Sequence, residues 1–158
     1  ISSLGGSEFL QVMHNTVVGQ PVLDLDLEVK LQRLCRRAIL EGLLNSAHDC
    51  AEGGLAVTLA ESCILGNIGV SLNRSIVDEL DPNQRTAALF GEEQSRIIVS
   101  LPRDKLQRLK ELSQDEGVEC VYLGEIGGGR LQVPGLVDLS IEELNVAWGS
   151  GFDKDTTG

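Results

Sequence analysis

The stretch Ser46-Ala47-His48-Asp49-Cys50-Ala51-Glu52-Gly53-Gly54-Leu55-Ala56-Val57-Thr58-Leu59-Ala60-Glu61-Ser62-Cys63 decides how the chain is read. Its first four residues read as a short strand and Gly53-Gly54 as a turn. Leu55, Ala56, Leu59, Ala60 and Cys63 then recur at helical steps, forming the inner face of a helix that Gly66 stops. A strand that hands an acidic residue to a glycine turn at a helix start sets a carboxylate beside free backbone N–H groups, with no side chain in the way. Such an arrangement suits phosphate on the amides of Gly53 and Gly54 and Mg2+ on Asp49. A plainer reading stays open, in which the two glycines only let the backbone turn while Asp49 or Glu52 caps the helix.

Upstream, Leu31, Leu34, Cys35, Ala38, Ile39 and Leu43 mark an amphipathic helix from Leu27, with Asp26 as its N-cap and Gly42 near its end. Downstream, Gly69–Asn73 and Ile97–Leu101 read as strands, and the unbroken apolar run of the second predicts a central place or burial on both faces. Between them lie a polar stretch, Arg74–Thr86, and then Ala87-Ala88-Leu89-Phe90-Gly91. Leu106, Leu109 and Leu112 mark a third helix after Pro102. Val118–Ile126 reads as a strand that turns through Gly127–Gly129 into a hairpin partner, Leu131–Val133. Ser140-Ile141-Glu142-Glu143 fits a capping box and opens a last helix through Trp148, leaving residues 150–158 as a frayed tail. The order predicts an α+β sandwich, a single compact unit with helices packed on one side of a mostly antiparallel mixed sheet.

Composition narrows the function. With 158 residues and 42% hydrophobic content the chain has enough apolar surface for a core, and its formal charge of −11 argues against nucleic acid or an anionic membrane as partner. No apolar run is long enough to cross a bilayer and no signal peptide is present. Cys35, Cys50, Cys63 and Cys120 are scattered without a Cys-x-x-Cys, which predicts reduced thiols and a cytoplasmic protein. The chain opens Ile1-Ser2-Ser3-Leu4 without an initiating Met, and its first 25 residues show little periodicity, so it reads as the end of something longer.

A second polar cluster, Leu89-Phe90-Gly91-Glu92-Glu93-Gln94-Ser95-Arg96, stands directly before the apolar strand. Two carboxylates, an amide and a guanidinium at a strand entrance suit a metal or a polar ligand; a solvated turn with an Arg–carboxylate pair is the alternative. His14 and His48 have no partners at zinc-site spacing, and His48 reads as a hydrogen-bonded strand residue. No nucleophile elbow, phosphate-binding loop with its lysine, or Cys/His signature occurs.

Taken together, in this order and about 40 residues apart, SAHDCAEGGLAVTLAESC and LFGEEQSRIIVS, with LGGSEF near the start, resemble the last domain of the phosphoribosylformylglycinamidine synthases that use a separate glutaminase subunit. The likeness runs from LGGSEF to the IEELNVAW helix. It implies an N-terminal ATP-binding-type domain paired with an α/β C-terminal domain, such pairs occurring twice in tandem, with this chain as the second C-terminal domain. Residues 1–22 would be the tail of the preceding domain and a linker, and 23–149 the synthetase-superfamily C-terminal domain. The implied reaction uses ATP and Mg2+ to activate the formamide oxygen of formylglycinamide ribonucleotide, after which ammonia from glutamine displaces phosphate. Phosphorylation makes a poor leaving group a good one, and metal-bridged carboxylates offset the charge of the transferring phosphoryl group.

The likeness carries over residue by residue as a metal ligand at Asp49 and ligand contacts at Glu92, Glu93 and Gln94, with Gly53, Gly54 and Arg96 beside them. Glu93 stands where the first domain of the family has Ser, and the glycine motif departs from that domain's Asp-Met-Gly-Ala-Ala-Gly-Leu. These departures imply the pseudo-symmetric copy of the site, which in large members of the family holds a structural Mg-nucleotide. This copy would have no catalytic residue of its own. The implied partners are the preceding domains, a glutaminase subunit, a small accessory subunit and the ribonucleotide substrate. The alternatives are a non-catalytic assembly module, or the C-terminal domain of another superfamily member such as an aminoimidazole ribonucleotide synthetase, a thiamine-monophosphate kinase or a selenide-activating enzyme.

Overall fold

The computed structural model describes residues 4–20, 22–78 and 82–154. In order, the elements are α1 (Glu8–His14), α2 (Leu25–Leu40), β1 (Ser46–Asp49), α3 (Gly54–Gly66), β2 (Val70–Leu72), α4 (Ser75–Asp78), α5 (Pro82–Phe90), β3 (Ile97–Ser100), α6 (Leu106–Glu116), β4 (Gly124–Ile126), β5 (Arg130–Val133), β6 (Val137–Ser140) and α7 (Ile141–Lys154). The class is α+β, as the pattern predicts. The expectation of a single compact unit is corrected, because the chain divides into two units, residues 1–58 with 86–122 and residues 59–85 with 123–158.

In the first unit, α2 starts two residues earlier than its periodicity suggests. Asp24, not Asp26, is the N-cap, its carboxylate accepting from the backbone N–H groups of Asp26 and Leu27 at 3.0 Å each. Leu34 and Ala38 of α2, Leu43 after it, Leu109 and Leu112 of α6, and Val118 form the core, with Val99 of β3 packed against it. Arg37 of α2 donates to Glu116 at 2.7 Å, while Arg108 of α6 donates to both carboxylate oxygens of Glu41 at 2.8 and 3.0 Å. Since the earlier residue of α2 meets the end of α6 and the later residue meets its start, the two helices run antiparallel. β3 pairs with β1, with Ser46 opposite Ser100 and Asp49 opposite Ile97. Among the described residues this sheet has two strands and β3 is half-buried, so the run Ile97–Leu101 is not a central strand.

The second unit holds a sheet in the order β4-β2-β5-β6, antiparallel except where β2 runs parallel to β5. This overturns the hairpin read through Gly127–Gly129, because β2 lies between the two strands those glycines connect. The segment folds back on Gly69 instead, Gly69 N–H donating to Gly128 and Gly127 N–H to Gly69. The true hairpin joins β5 to β6 through Pro134-Gly135, with Gly135 at φ 75° and Leu136 N–H donating to Val133 at 2.9 Å. Proline followed by a positive-φ glycine is the requirement of a type II turn. The capping box forms as read: Glu143 N–H donates to Ser140 Oγ, and Ser140 N–H donates to the Glu143 carboxylate. α7 continues past Trp148 to Lys154; residues 155–158 of the expected tail lie outside the described residues.

Three helices end by one device. After α2, Gly42 at φ 64° donates to Ile39 and Leu43 to Ala38; after α6, Gly117 at φ 67° donates to Gln114 and Val118 to Ser113. After α3 the left-handed residue is Asn67, at φ 47°, so Gly66 is the helix's last residue and not its stop. A Cβ at Gly42 or Gly117 would meet nothing within 4 Å, so backbone conformation alone penalises a side chain there. Gly42→Ala and Gly117→Ala are each expected to lower unfolding free energy by about 1 kcal/mol in urea titrations, and Gly127→Ala to leave it unchanged within ~0.5 kcal/mol. The Arg108 guanidinium holds Glu41 below its ordinary carboxylate value near 4.5. A depressed folded-state pKa contributes stability above the unfolded value and loses it as pH falls through the folded one. Thermal midpoints of the wild type and Glu41→Gln should therefore differ at pH 7 and converge as the pH drops below 4.5, the ordinary value.

Candidate functional site

Every residue singled out as a site candidate lies in the first unit. β1 ends at Asp49, Cys50 extends the pairing by donating its N–H to Arg96 O at 2.9 Å, and the chain then turns through Gly53 (φ 77°) and Gly54 (φ 64°) into α3. Gly54 is required by close approach. A Cβ there would sit 2.6 Å from the carbonyl oxygen of Gly91 and 3.0 Å from that of Leu89, so α3 begins against the end of α5. Buried Thr58 fastens the turn from inside, its hydroxyl donating to Gly54 O at 2.9 Å, with Asp49 O 3.3 Å away.

The two sequence clusters meet, but through each other. Glu92 Oε1 accepts the N–H of Gly53 at 2.8 Å and the N–H of Glu8, the first residue of α1, also at 2.8 Å. LGGSEF, the glycine turn and FGEEQSR therefore converge on one carboxylate oxygen. Phe9 of α1 stacks on Phe90 at 5.0 Å between ring centroids and closes the same junction with apolar contact. The Gly53 amide expected to cradle phosphate is engaged by a carboxylate of this chain.

Arg96 departs from the Arg–carboxylate pair offered as the alternative reading. Its guanidinium donates to Ala88 O at 3.1 Å and to Gly91 O at 3.2 Å, satisfying carbonyls at the C-terminal end of α5, where a cation also complements the helix dipole. Ser95 holds a left-handed conformation at φ 62°, uncommon for a residue with a side chain, while its hydroxyl donates to Glu28 Oε2 of α2 at 2.6 Å. The hydrogen bonds from Ser95 and Gln32 lower the Glu28 pKa below the usual carboxylate range. Glu93 is half-buried and Gln94 exposed on the same loop.

Asp49 presents its carboxylate to solvent, the side chain 78% exposed, 3.7 Å from His48 Nδ1. Among the described residues, no three His, Cys, Asp or Glu side chains come together to hold a metal ion. Asp49 therefore stands as a single exposed carboxylate, and Mg2+, which binds through one or two carboxylates together with water and phosphate oxygens, would take its other ligands from outside this cluster. The four cysteines are free, and burial pushes each thiol above its ordinary pKa, so none is an activated nucleophile. No helix among the described residues is long and apolar enough to cross a membrane.

Sequence reasoning missed Glu8, Thr58 and Glu28. Ser7-Glu8 before Phe9-Leu10 is a weak helix-start signal that could have exposed α1. Thr58 falls on the buried face of α3, and a threonine's reach back to the carbonyl four residues earlier is predictable. Nothing local links Glu28 to Ser95, 67 residues away.

The model of the family "AIR synthase related protein, C-terminal domain" matches residues 1–134. The chain is 43% identical over 155 residues to phosphoribosylformylglycinamidine synthase subunit PurL of Anaeromyxobacter dehalogenans (strain 2CP-C), covering 94% of this chain and 20% of that protein. It is 42% identical over 154 residues to the same subunit of Thermomicrobium roseum, covering 96% of this chain and 21% of that one. The chain spans about a fifth of the length of the curated relatives it matches. T. maritima PurL complexed with FGAR superposes with a TM-score of 0.74 at 19% identity, over 91% of this chain and 26% of that one. The same protein complexed with ATP gives 0.66 at 20% identity (90% and 24%), and PurLQS from Thermotoga maritima gives 0.65 at 20% (89% and 24%). At those identities the solved structures establish the fold, and with the family model matched along most of its length the chain belongs to the family of AIR synthase related proteins, as their C-terminal domain.

Proposed function

We propose that this chain is the closing domain of an ATP-dependent synthase that converts formylglycinamide ribonucleotide and ammonia to the amidine in purine biosynthesis, and that it contributes architecture rather than reacting groups. The observation that carries this reading is the junction at Glu92, where the three stretches that carry the resemblance to the synthases meet. The likeness to PurL along 94% of the chain supports it. ATP and Mg2+ serve the whole enzyme, which does its work in the cytoplasm. The metal would supply charge stabilisation for the phosphoryl group. This chain offers one exposed carboxylate toward it, Asp49, and the loop residues Glu93 and Gln94 toward a polar ligand. Gly53, Glu92 and Arg96 already satisfy one another or the ends of α1, α3 and α5.

On this reading residues 23–149 are the superfamily domain, and residues 1–22 lead in from a preceding ATP-binding-type domain, with α1 drawn onto this one through Glu8. The glutaminase and small accessory subunits meet the assembled subunit. A non-catalytic assembly module is the second reading, favoured by the engagement of Gly53, Glu92 and Arg96 with other parts of this chain.

Two measurements check these statements. ADP release from ATP, with formylglycinamide ribonucleotide and ammonia supplied, is expected to be nil for the 158-residue chain alone. It should appear when the chain is joined to the polypeptide that precedes it in a full-length synthase subunit; turnover by the chain alone would refute the proposal. In that full-length subunit, Asp49→Ala is expected to change kcat by less than about threefold, an effect under ~1 kcal/mol. A loss of a hundredfold or more would make Asp49 a ligand of the reacting metal.

A further inference from the structure

We infer that Glu92 is a built-in anion that closes the glycine turn, so that in this chain the turn is a lock between segments and not a phosphate site. Glu92 Oε1 stands 2.8 Å from the N–H of Gly53, immediately before α3, where the amide groups and the helix dipole favour negative charge. That is the place a ligand's phosphate oxygen would take. The same oxygen accepts the Glu8 N–H at 2.8 Å, so one charge satisfies donors from two helix starts.

The surroundings hold the lock shut. Gly54 lies too close to Gly91 O and Leu89 O for the turn to shift toward α5, and Arg96 ties the carbonyls of Ala88 and Gly91 on the same side. Ser95 in its left-handed conformation, bonded to Glu28, fixes the loop that carries Glu92. A phosphate arriving at Gly53 would have to expel a carboxylate held by two charge-assisted hydrogen bonds, and would meet like charge at Glu92 and Glu93. The inference rests on the same Glu92 contacts that support the synthase reading, but its own test reads the amides alone, whereas the ADP-release measurement tests that reading.

Amide hydrogen exchange on the 158-residue chain, with inorganic phosphate and Mg-ADP as probes, decides the matter. In the wild type, neither probe should alter exchange at Gly53 or Glu8. Glu92→Ala should accelerate exchange at both amides together, by roughly ten- to hundredfold, the loss of a hydrogen bond to a charged group. Added phosphate should then slow Gly53 exchange in the variant while equal ionic strength of chloride does not. Glu92→Gln keeps the shape but removes the charge; it should give intermediate exchange, and it carries the test if Glu92→Ala does not fold. Protection of Gly53 by phosphate or Mg-ADP in the wild type would overturn the inference, as would unchanged exchange at Glu8 and Gly53 in both variants.

Discussion

A single carboxylate oxygen, Glu92 Oε1, joins parts of the chain that lie 84 and 39 residues from it. Backbone N–H groups at helix starts have no partner within the helix, and leaving them unsatisfied away from water is costly. Most proteins answer this with a local cap. Here the answer comes from a distant loop, so satisfying the donors and bringing α1, the glycine turn and the entrance of β3 together are one event. The other contacts of the region follow from that closure: Gly54 packs against carbonyls, Arg96 caps α5, Thr58 bonds beneath the turn, and Phe9 stacks on Phe90.

Residues chosen for ligands and residues chosen for structure can carry the same sequence signature, and this site shows why. Acidic residues beside a glycine turn suit a metal-nucleotide, yet they equally suit a chain that supplies its own anion. What separates the two is where each carboxylate points. Asp49 faces solvent, whereas Glu92 faces backbone amides. The family relationship agrees with either outcome, because the fold preserves the positions while the side chains can exchange a ligand contact for an internal one.

The parts of the fold legible in the sequence are those set by local chemistry. The periodicity of α2, α3 and α6, the Ser140–Glu143 box and the strands at Ser46–Asp49, Val70–Leu72 and Ile97–Ser100 all appear where pattern places them. Helix α1 was hidden because seven residues give too few apolar repeats, and α4 and α5 because their polar stretch begins with proline and serine signals common to loops. The Gly127–Gly129 turn misled because a glycine run between two apolar segments is as good a signal for a crossing connection as for a hairpin; only the placement of β2 between them decides. Of the candidate site, the members could be named, but that Glu92 meets Gly53, and Arg96 carbonyls and not carboxylates, depends on contacts between segments far apart in the chain.

The place of β2 in its sheet also governs the order in which the chain can become a protein. β2 is made at residues 70–72, but its neighbours are β4 at 124–126 and β5 at 130–133. At a synthesis rate of about 5–20 residues per second, both edges of β2 stay open for several seconds after it leaves the ribosome. Unpaired edges are templates for pairing with other chains, and such long-range closures are slow. Nascent chains halted before residue 124 therefore carry a strand with no partner from its own sheet, and the interval before β4 arrives is when this domain is most exposed to misassembly.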